Sequence, residues 1–134
     1  MIGLLLDTNL LIDKPDFSLL AVPPDEVGVR TSTLCYAELQ EGEFSSDPVI
    51  AASTVIRLAA VRAALGEGLP FGTPELEAYR AICMAAVGGG RSLTRARRMD
   101  MMIAATALAN GLTLATRNTG DFAAVAGIVP IVRL

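Results

Sequence analysis

Short apolar runs that alternate with helical segments are the feature that most constrains the fold of this chain. Residues 2–6 are a continuous apolar run, which is typical of a strand buried on both faces. Residues 27–29 and 112–116 predict two more strands, and residues 128–132 predict the last one. Apolar strands separated by helices indicate an α/β fold with a central, mainly parallel sheet and helices on both faces.

Caps, prolines and glycines mark the ends of the helical segments. Asp47-Pro48 and Thr73-Pro74 are helix starts, since each places a proline in the first turn. Glycines at 66, 88–90 and 111 are helix stops. Residues 69–71 give only a weak strand signal. The predicted helices cover residues 33–43, 47–66, 73–90 and 97–110, and a short helix begins at 119–122.

The length of 134 residues predicts a single domain that spans residues 1–134. The chain is 52% hydrophobic, so apolar surface is expected to remain for a partner or a second copy. Cys35 and Cys83 lack a metal-type spacing, which favours reduced, buried thiols over a disulfide. We expect no signal peptide and no membrane span, and hence a soluble, cytoplasmic protein.

Four acidic residues stand beside apolar segments, where solvated charges are not expected. Asp7 follows the first apolar run and Asp121 follows the third, while helical spacing places Asp100 and Glu38 beside apolar neighbours. Ligands bind beyond the carboxyl ends of strands in open α/β sheets. Carboxylates that converge there repel one another, and Mg²⁺ or Mn²⁺ relieves this repulsion. With one lysine and no histidine, the chain favours a metal ion as the neutralising charge.

Each acid also has a structural interpretation that the sequence leaves open. Asp7 could serve only as a helix N-cap, and Asp100 could be a first-turn acid favoured by the helix dipole. Glu38 alone would be a solvated charge, and Asp121 alone would be a cap or turn residue. The joint placement of the four is what indicates a functional site.

Four motifs in the chain resemble those of the PIN domain, and specifically of the VapC toxins of bacterial toxin–antitoxin pairs. They are LLLDTN at residues 4–9, TLCYAEL at 33–39, DMMIAATA at 100–107 and LATRNTGDF at 114–122. Their order and spacing cover essentially the whole chain. The resemblance implies a PIN-like three-layer α/β/α sandwich with a central, mainly parallel sheet.

The resemblance also implies an Mg²⁺- or Mn²⁺-dependent endoribonuclease that hydrolyses RNA phosphodiester bonds. Asp7 and Asp100 match the principal metal ligands, and Glu38 completes the acidic cluster. The fourth position is open between Asn118, which follows Thr-Arg, and Asp121, which is assigned as an assisting catalytic residue. The matched supporting residues are Thr8, Thr116 and Asn118. The number of metal ions and the RNA that is cut stay open.

The partners implied by the resemblance are a VapB antitoxin that covers the site and a second copy of the chain in a homodimer. The net charge of −3 argues against a nucleic-acid binder that relies on bulk charge. Four arginines nevertheless fall within eight residues that contain no acid: Arg91, Arg95, Arg97 and Arg98. We interpret them as an RNA-binding surface beside Asp100, with a solvated helix start as the alternative.

Other protein classes fit the residues less well. A receiver domain needs a lysine near a late strand, but the single lysine is Lys14. A haloacid-dehalogenase-like phosphatase needs an acid at the position of Asn9, and no glycine-rich phosphate loop follows a strand. The remaining alternative is a catalytically silent PIN-like module that binds RNA or protein.

Overall fold

Four parallel strands form the central sheet of the computed structural model, which describes residues 2–134. The strands are β1 (Ile2–Leu6), β2 (Val27–Arg30), β3 (Thr113–Thr116) and β4 (Ile131–Arg133), in the order β2-β1-β3-β4. In β1, Leu4 and Leu5 are fully buried and pair with both β2 and β3. The predicted α/β fold with a parallel sheet flanked by helices is confirmed.

Five α-helices connect the strands, and their ends follow the capping residues. They are α1 (Thr8–Ile12), α2 (Thr33–Gln40), α3 (Pro48–Leu65), α4 (Thr73–Gly88) and α5 (Arg95–Ala109). Four of these helices begin at an N-cap whose side chain accepts a hydrogen bond from an N–H group of the first turn. The N-caps are Asp7 for α1, Ser32 for α2, Asp47 for α3 and Thr94 for α5. Residues 119–125 form the short helix expected there, in the 3₁₀ conformation.

The structure corrects the predicted end of the second helix and the predicted start of the last strand. The second helix ends as α-helix at Gln40, and residues 41–44 continue as a 3₁₀ turn. The last strand begins at Ile131 and not at residue 128. The reason is that the N–H groups of Ile128 and Val129 both donate to the Val125 carbonyl, which extends the preceding turn. The weak signal at residues 69–71 corresponds to a single bridge between Leu69 and Ser32.

The start of α5 also differs from the prediction. Thr94 caps the helix, so α5 begins at Arg95, two residues earlier than expected. Asp100 therefore lies in the second turn, and the interpretation of Asp100 as a first-turn acid is wrong. A tight turn with Gly111 at φ +63° leads from α5 into β3. The chain reverses there, so the first turns of α5 lie toward the carboxyl edge of the sheet.

Helix α3 is unusually exposed for so apolar a segment. It is 18 residues long with a mean hydropathy of 1.5, so by length and composition alone it could cross a membrane. We expected no such segment because no apolar run in the sequence approaches the ~20 residues that a membrane span needs. Length and composition are weak indications of a membrane span, and Thr54 is the one residue of α3 that is fully buried.

Both cysteines are free thiols, as expected. Cys35 is buried on α2, but Cys83 is only half-buried on α4, so the prediction of buried thiols holds for one of the two.

Candidate active site

Asp7 sits where β1 ends and α1 begins, and its carboxylate is fixed from two sides. Its Oδ1 accepts from the Thr8 N–H at 2.8 Å, and its Oδ2 accepts from the Thr116 hydroxyl at 2.9 Å. Asp7 is therefore the N-cap of α1, which was the structural alternative for this residue in the sequence. It also faces the end of β3. Only 6% of the residue is exposed, and this burial raises its pKa despite the two donors.

Asn9 connects the ends of β1 and β3 through three contacts. Its side-chain NH₂ donates to Asp7 Oδ2 at 3.3 Å and to Thr116 Oγ1 at 3.4 Å, and its Oδ1 accepts from the Arg117 N–H at 3.4 Å. No site role is predicted for Asn9 from the sequence motifs alone. The available signal was the amide two residues after Asp7, next to the same strand end.

Glu38 reaches the site from α2. Its Oε1 accepts from the Thr8 hydroxyl at 2.7 Å, which joins the second motif to the first. The residue is half-buried, and burial is the main cause that raises its pKa, with Asp7 as a further one. Thr8 therefore positions two carboxylates: it donates to Asp7 through its N–H and to Glu38 through its hydroxyl.

Asp100 is half-buried on α5 and experiences the charges of the other three acids. Burial raises its pKa most, and repulsion by Asp7, Glu38 and Asp121 raises it further, to about 7. Asp121 also raises the pKa of Asp7. The four acids of the sequence prediction thus lie close enough to affect one another's ionisation. A carboxyl group with a strongly raised pKa beside other acids is a candidate functional group.

Asn118 and Asp121 occupy different places at the fourth position. Asn118 is exposed, and its backbone N–H donates to Thr116 Oγ1 at 3.1 Å. Asp121 is also exposed and contributes its carboxylate charge to the site. The Asp121 N–H donates to the Asn118 carbonyl at 3.0 Å, which fixes the two residues in one turn.

The chemistry of the acidic cluster fits a divalent cation. The facing side chains are carboxylates, and among residues 2–134 the one ion pair, Arg117 with Asp13, does not include any of the four acids. Within that same part of the chain, no three acidic or thiol side chains approach closely enough to hold an ion by themselves. Mg²⁺ keeps several waters and is commonly held by one or two carboxylates together with substrate phosphates. Asp7 and Asp100 can provide such a pair.

The four arginines of the predicted RNA-binding cluster divide into two pairs. Arg91 and Arg97 are half-buried and donate to backbone carbonyls, Arg91 to Gly120 at 3.3 Å and Arg97 to Ser92 at 3.5 Å. Arg95 and Arg98 are exposed on the first turn of α5. The second pair is therefore the more available to a ligand.

An apolar groove of about 790 Å³, which the sequence did not predict, lies between α1 and α3. Leu10 and Leu11 of α1 form one wall, and Ile56 and Val61 of α3 form the other. Lys14 and Arg57 are the charged residues among those that line the groove, and both are positive. Because α1 also follows Asp7, the groove and the acidic cluster share a helix.

Several known structures share this fold, and one of them is of a member of the VapBC family of toxin–antitoxin systems. Over 100% of this chain and 98% of the other, a member of the VapBC family from Mycobacterium tuberculosis, VapBC-5, aligns with a TM-score of 0.80 and 27% identity. FitAcB from Neisseria gonorrhoeae aligns over 96% and 95% of the chains with a TM-score of 0.71 and 29% identity. The chain has the fold of a VapC-like PIN domain.

Another VapC-like fold is found in VapBC2 from Rickettsia felis, whose structure is bound to a DNA fragment from its promoter. It covers 99% of both chains with a TM-score of 0.78, and at 20% identity it bears on the fold alone. No protein-family model and no curated protein sequence matches this VapC-like chain. The predicted resemblance is confirmed at the level of structure.

Proposed function

We propose that this VapC-like chain is the toxin of a type II toxin–antitoxin pair and acts as an Mg²⁺- or Mn²⁺-dependent endoribonuclease. The observation that carries the proposal is the electrostatics of Asp100, whose pKa the other three acids help raise to about 7. Carboxylates are seldom gathered in this way without a function, because their mutual repulsion costs stability. A bound divalent cation would remove that repulsion.

The residues of the cluster would have separate roles in the hydrolysis of a phosphodiester. A bound Mg²⁺ would lower the pKa of a water and neutralise charge that develops on the phosphate. Asp7 and Asp100 would hold the ion, with Asp7 oriented by the Thr8 N–H and the Thr116 hydroxyl. Glu38, fixed by the Thr8 hydroxyl, would orient the attacking water and accept its proton. The chain contains no histidine, so a histidine acid–base mechanism is excluded.

RNA is the proposed substrate, and the start of α5 supports this choice. Arg95, Arg97 and Arg98 lie in the first turn or just after it, where positive charge is unfavourable to the helix dipole. Their placement does not stabilise the helix, so another role is expected for them. The exposed Arg95 and Arg98 can contact phosphates of a strand that crosses Asp100, two residues beyond Arg98.

Purified protein freed of antitoxin tests the nuclease proposal directly. Total RNA is incubated with Mg²⁺ or Mn²⁺ and the wild type, Asp7→Asn or Asp100→Asn, with Glu77→Gln on the exposed face of α4 as the matched control. We expect the two site variants to lose at least about a hundredfold in rate and the control to cleave normally. Equal cleavage by all four proteins would contradict the proposal, since the activity would then come from a contaminant.

A catalytically silent module that binds RNA or protein is the second candidate. The exposed arginines and the apolar groove would serve such a module without any cleavage. Failure of the wild type to cleave any RNA, together with retained RNA binding, would favour it over the nuclease.

The apolar groove is the proposed binding site for the cognate, VapB-like antitoxin. Its walls are apolar, its volume of about 790 Å³ suits a segment of a partner chain, and the matched proteins belong to toxin–antitoxin systems. Lys14 and Arg57 at the groove favour a segment that carries acidic residues beside its apolar ones. Since α1 follows Asp7 directly, an antitoxin in the groove would lie beside the acidic cluster.

A charge placed in the groove separates antitoxin binding from catalysis. Ile56 is 72% exposed, so Ile56→Asp should leave the fold intact while it places an unpaired carboxylate against an apolar partner. We expect the variant to cleave RNA like the wild type but to escape inhibition by the proposed cognate antitoxin. Full inhibition of Ile56→Asp, with unchanged affinity, would place the antitoxin elsewhere.

A further inference from the structure

Arg117 contacts helix α1 at both of its ends. Its backbone N–H donates to Asn9 Oδ1 at 3.4 Å, near the start of the helix. Its guanidinium donates to Asp13 Oδ2 at 3.4 Å and to the Lys14 carbonyl at 3.4 Å, just beyond the end of the helix. We propose that Arg117 is a positioning residue that holds α1, and through it Asp7 and Asn9, against the end of β3. The proposal rests on the function proposed above.

Helix α1 needs such a contact because it is very short. It has five residues, and helices of this length have negligible stability without tertiary contacts. Its first turn nevertheless carries much of the site's geometry. Thr8 orients Asp7 and Glu38, and Asn9 orients Asp7 and Thr116. Any tilt or fraying of α1 would therefore displace two of the four acids.

Arg117 can restrain α1 because its own backbone belongs to a rigid part of the fold. It follows Thr116, which is fully buried and pairs with Arg133 of β4. The Thr116 hydroxyl is the group that donates to Asp7. A side chain anchored at this point ties the far end of α1 to the same strand end that holds Asp7. The contact closes a loop through residues more than a hundred positions apart, since Arg117 and Asp13 are separated by 104.

A direct contact of Arg117 with the RNA is the competing role, since its side chain is 42% exposed. Two observations favour positioning. The guanidinium points to the end of α1 and has two acceptors there, and the backbone N–H of the same residue supports Asn9. A phosphate contact would need neither acceptor. The two roles differ in what they change: positioning alters the helix and the metal site, whereas a phosphate contact alters the affinity for RNA.

The experiment compares the wild type with Arg117→Ala, Arg117→Lys and Asp13→Asn, and uses Arg62→Ala, an exposed arginine of α3, as the matched control. Three quantities are measured: amide hydrogen exchange of residues 8–13, the affinity for Mn²⁺ in the absence of RNA, and kcat and KM for RNA cleavage. The first two do not depend on turnover. All substitutions lie at exposed side chains, so the variants are expected to fold.

For Arg117→Ala we expect exchange of residues 8–13 and the dissociation constant for Mn²⁺ to rise about tenfold, with a loss in kcat and little change in KM. Arg117→Lys, which keeps the charge but not the forked geometry, should fall between wild type and Arg117→Ala. Asp13→Asn should shift exchange in the same direction, and Arg62→Ala should match the wild type. Arg117→Ala with unchanged exchange and Mn²⁺ affinity but a raised KM would overturn the proposal and assign Arg117 to the RNA.

The same experiment distinguishes failure of the proposed function. If the wild type neither binds Mn²⁺ nor cleaves RNA, the nuclease assignment fails, and hydrogen exchange alone still decides the role of Arg117. Faster exchange of residues 8–13 in Arg117→Ala than in Arg62→Ala would then support the positioning role. Equal exchange in the two variants would refute it.

Discussion

Asp100 is the residue at which burial and charge conflict most in this molecule. Its carboxyl group is half-buried and faces three other acids, and its pKa rises from 3.8 to about 7 as a result. Asp7 and Glu38 are shifted in the same direction, first of all by burial. Residues that destabilise a fold in this way are typical of functional sites, where the rest of the structure compensates for them. This destabilisation is measurable as a dependence of the free energy of unfolding on pH.

The metal-free protein should lose stability as the pH rises from about 4 to about 7. Because the pKa of Asp100 is higher in the folded state than in the unfolded chain, the folded state binds more protons in this window, and the free energy of unfolding falls with pH. Asp100→Asn removes this contribution. At pH 8 we expect the variant to be more stable than the wild type by on the order of 2 kcal/mol, after discounting for the solvent that screens a half-exposed group.

Thermal unfolding at pH 4.5 and pH 8 in the presence of a chelator measures this difference. The two proteins should have similar melting temperatures at pH 4.5 and diverge at pH 8. If the melting temperatures of both proteins change equally between the two pH values, the ionisation of Asp100 does not destabilise the fold as expected.

A divalent cation should offset the destabilisation that the ionised Asp100 carboxylate causes. At pH 8, excess Mg²⁺ or Mn²⁺ is expected to raise the melting temperature of the wild type, because a ligand that binds only the folded state stabilises it by mass action. A hundredfold excess over the dissociation constant corresponds to about 2.7 kcal/mol. The shift should be much smaller for Asp100→Asn and for Asp7→Asn. Identical shifts in all three proteins would indicate binding outside the acidic cluster.

Among the elements, those with local signals were predictable and those fixed by distant contacts were not. The strand Ile2–Leu6 and the helix Pro48–Leu65 have their own apolar runs, caps and stops, so the sequence predicts both. The last strand was misjudged because turn hydrogen bonds to Val125 compete for residues 128–129. Asn9 and Arg117 were missed because their partners lie across the contact between β1 and β3, which are not consecutive strands.

The arginines at the start of α5 lead to a prediction about RNA binding. Arg95 and Arg98 are exposed, whereas Arg91 and Arg97 donate to backbone carbonyls. Arg95→Ala and Arg98→Ala should each weaken RNA binding and reduce the salt dependence of the affinity by about 0.7 in log–log slope, the value for one contact with single-stranded nucleic acid. Binding of labelled RNA to a non-cleaving Asp7→Asn background, at several salt concentrations, measures both effects.

Arg62→Ala on α3 is the matched control for the arginine substitutions and should leave the slope unchanged. A slope that does not change in Arg95→Ala and Arg98→Ala would remove the start of α5 from the RNA-binding surface. The solvated helix start would then be the better interpretation of these two arginines.

As a whole, the molecule leaves more apolar surface exposed than one folded domain needs. On α3, Val49 is 75% exposed and Ile56 is 72% exposed, and on α4 Met84 is 68% exposed. The high mean hydropathy of +0.50 predicts this surplus, but the sequence could not assign it to particular faces, because the same residues would equally fit a buried helix. Two separate faces result, one along the groove and one on the outside of α4.

The outer face of α4 is where we expect the second copy of the chain to bind, if the homodimer that the sequence resemblance implies is formed. Leu76, Met84 and Val87 share one helical face, which can meet the same stripe of a second copy in a two-fold contact. Met84→Asp would place two like charges at the centre of that contact and should convert the dimer to a monomer, as measured by sedimentation equilibrium. Ile56→Asp, which alters the groove instead, should leave the mass unchanged. A dimer that persists in Met84→Asp but dissociates in Ile56→Asp would assign self-association to the groove and leave the α4 face for another partner.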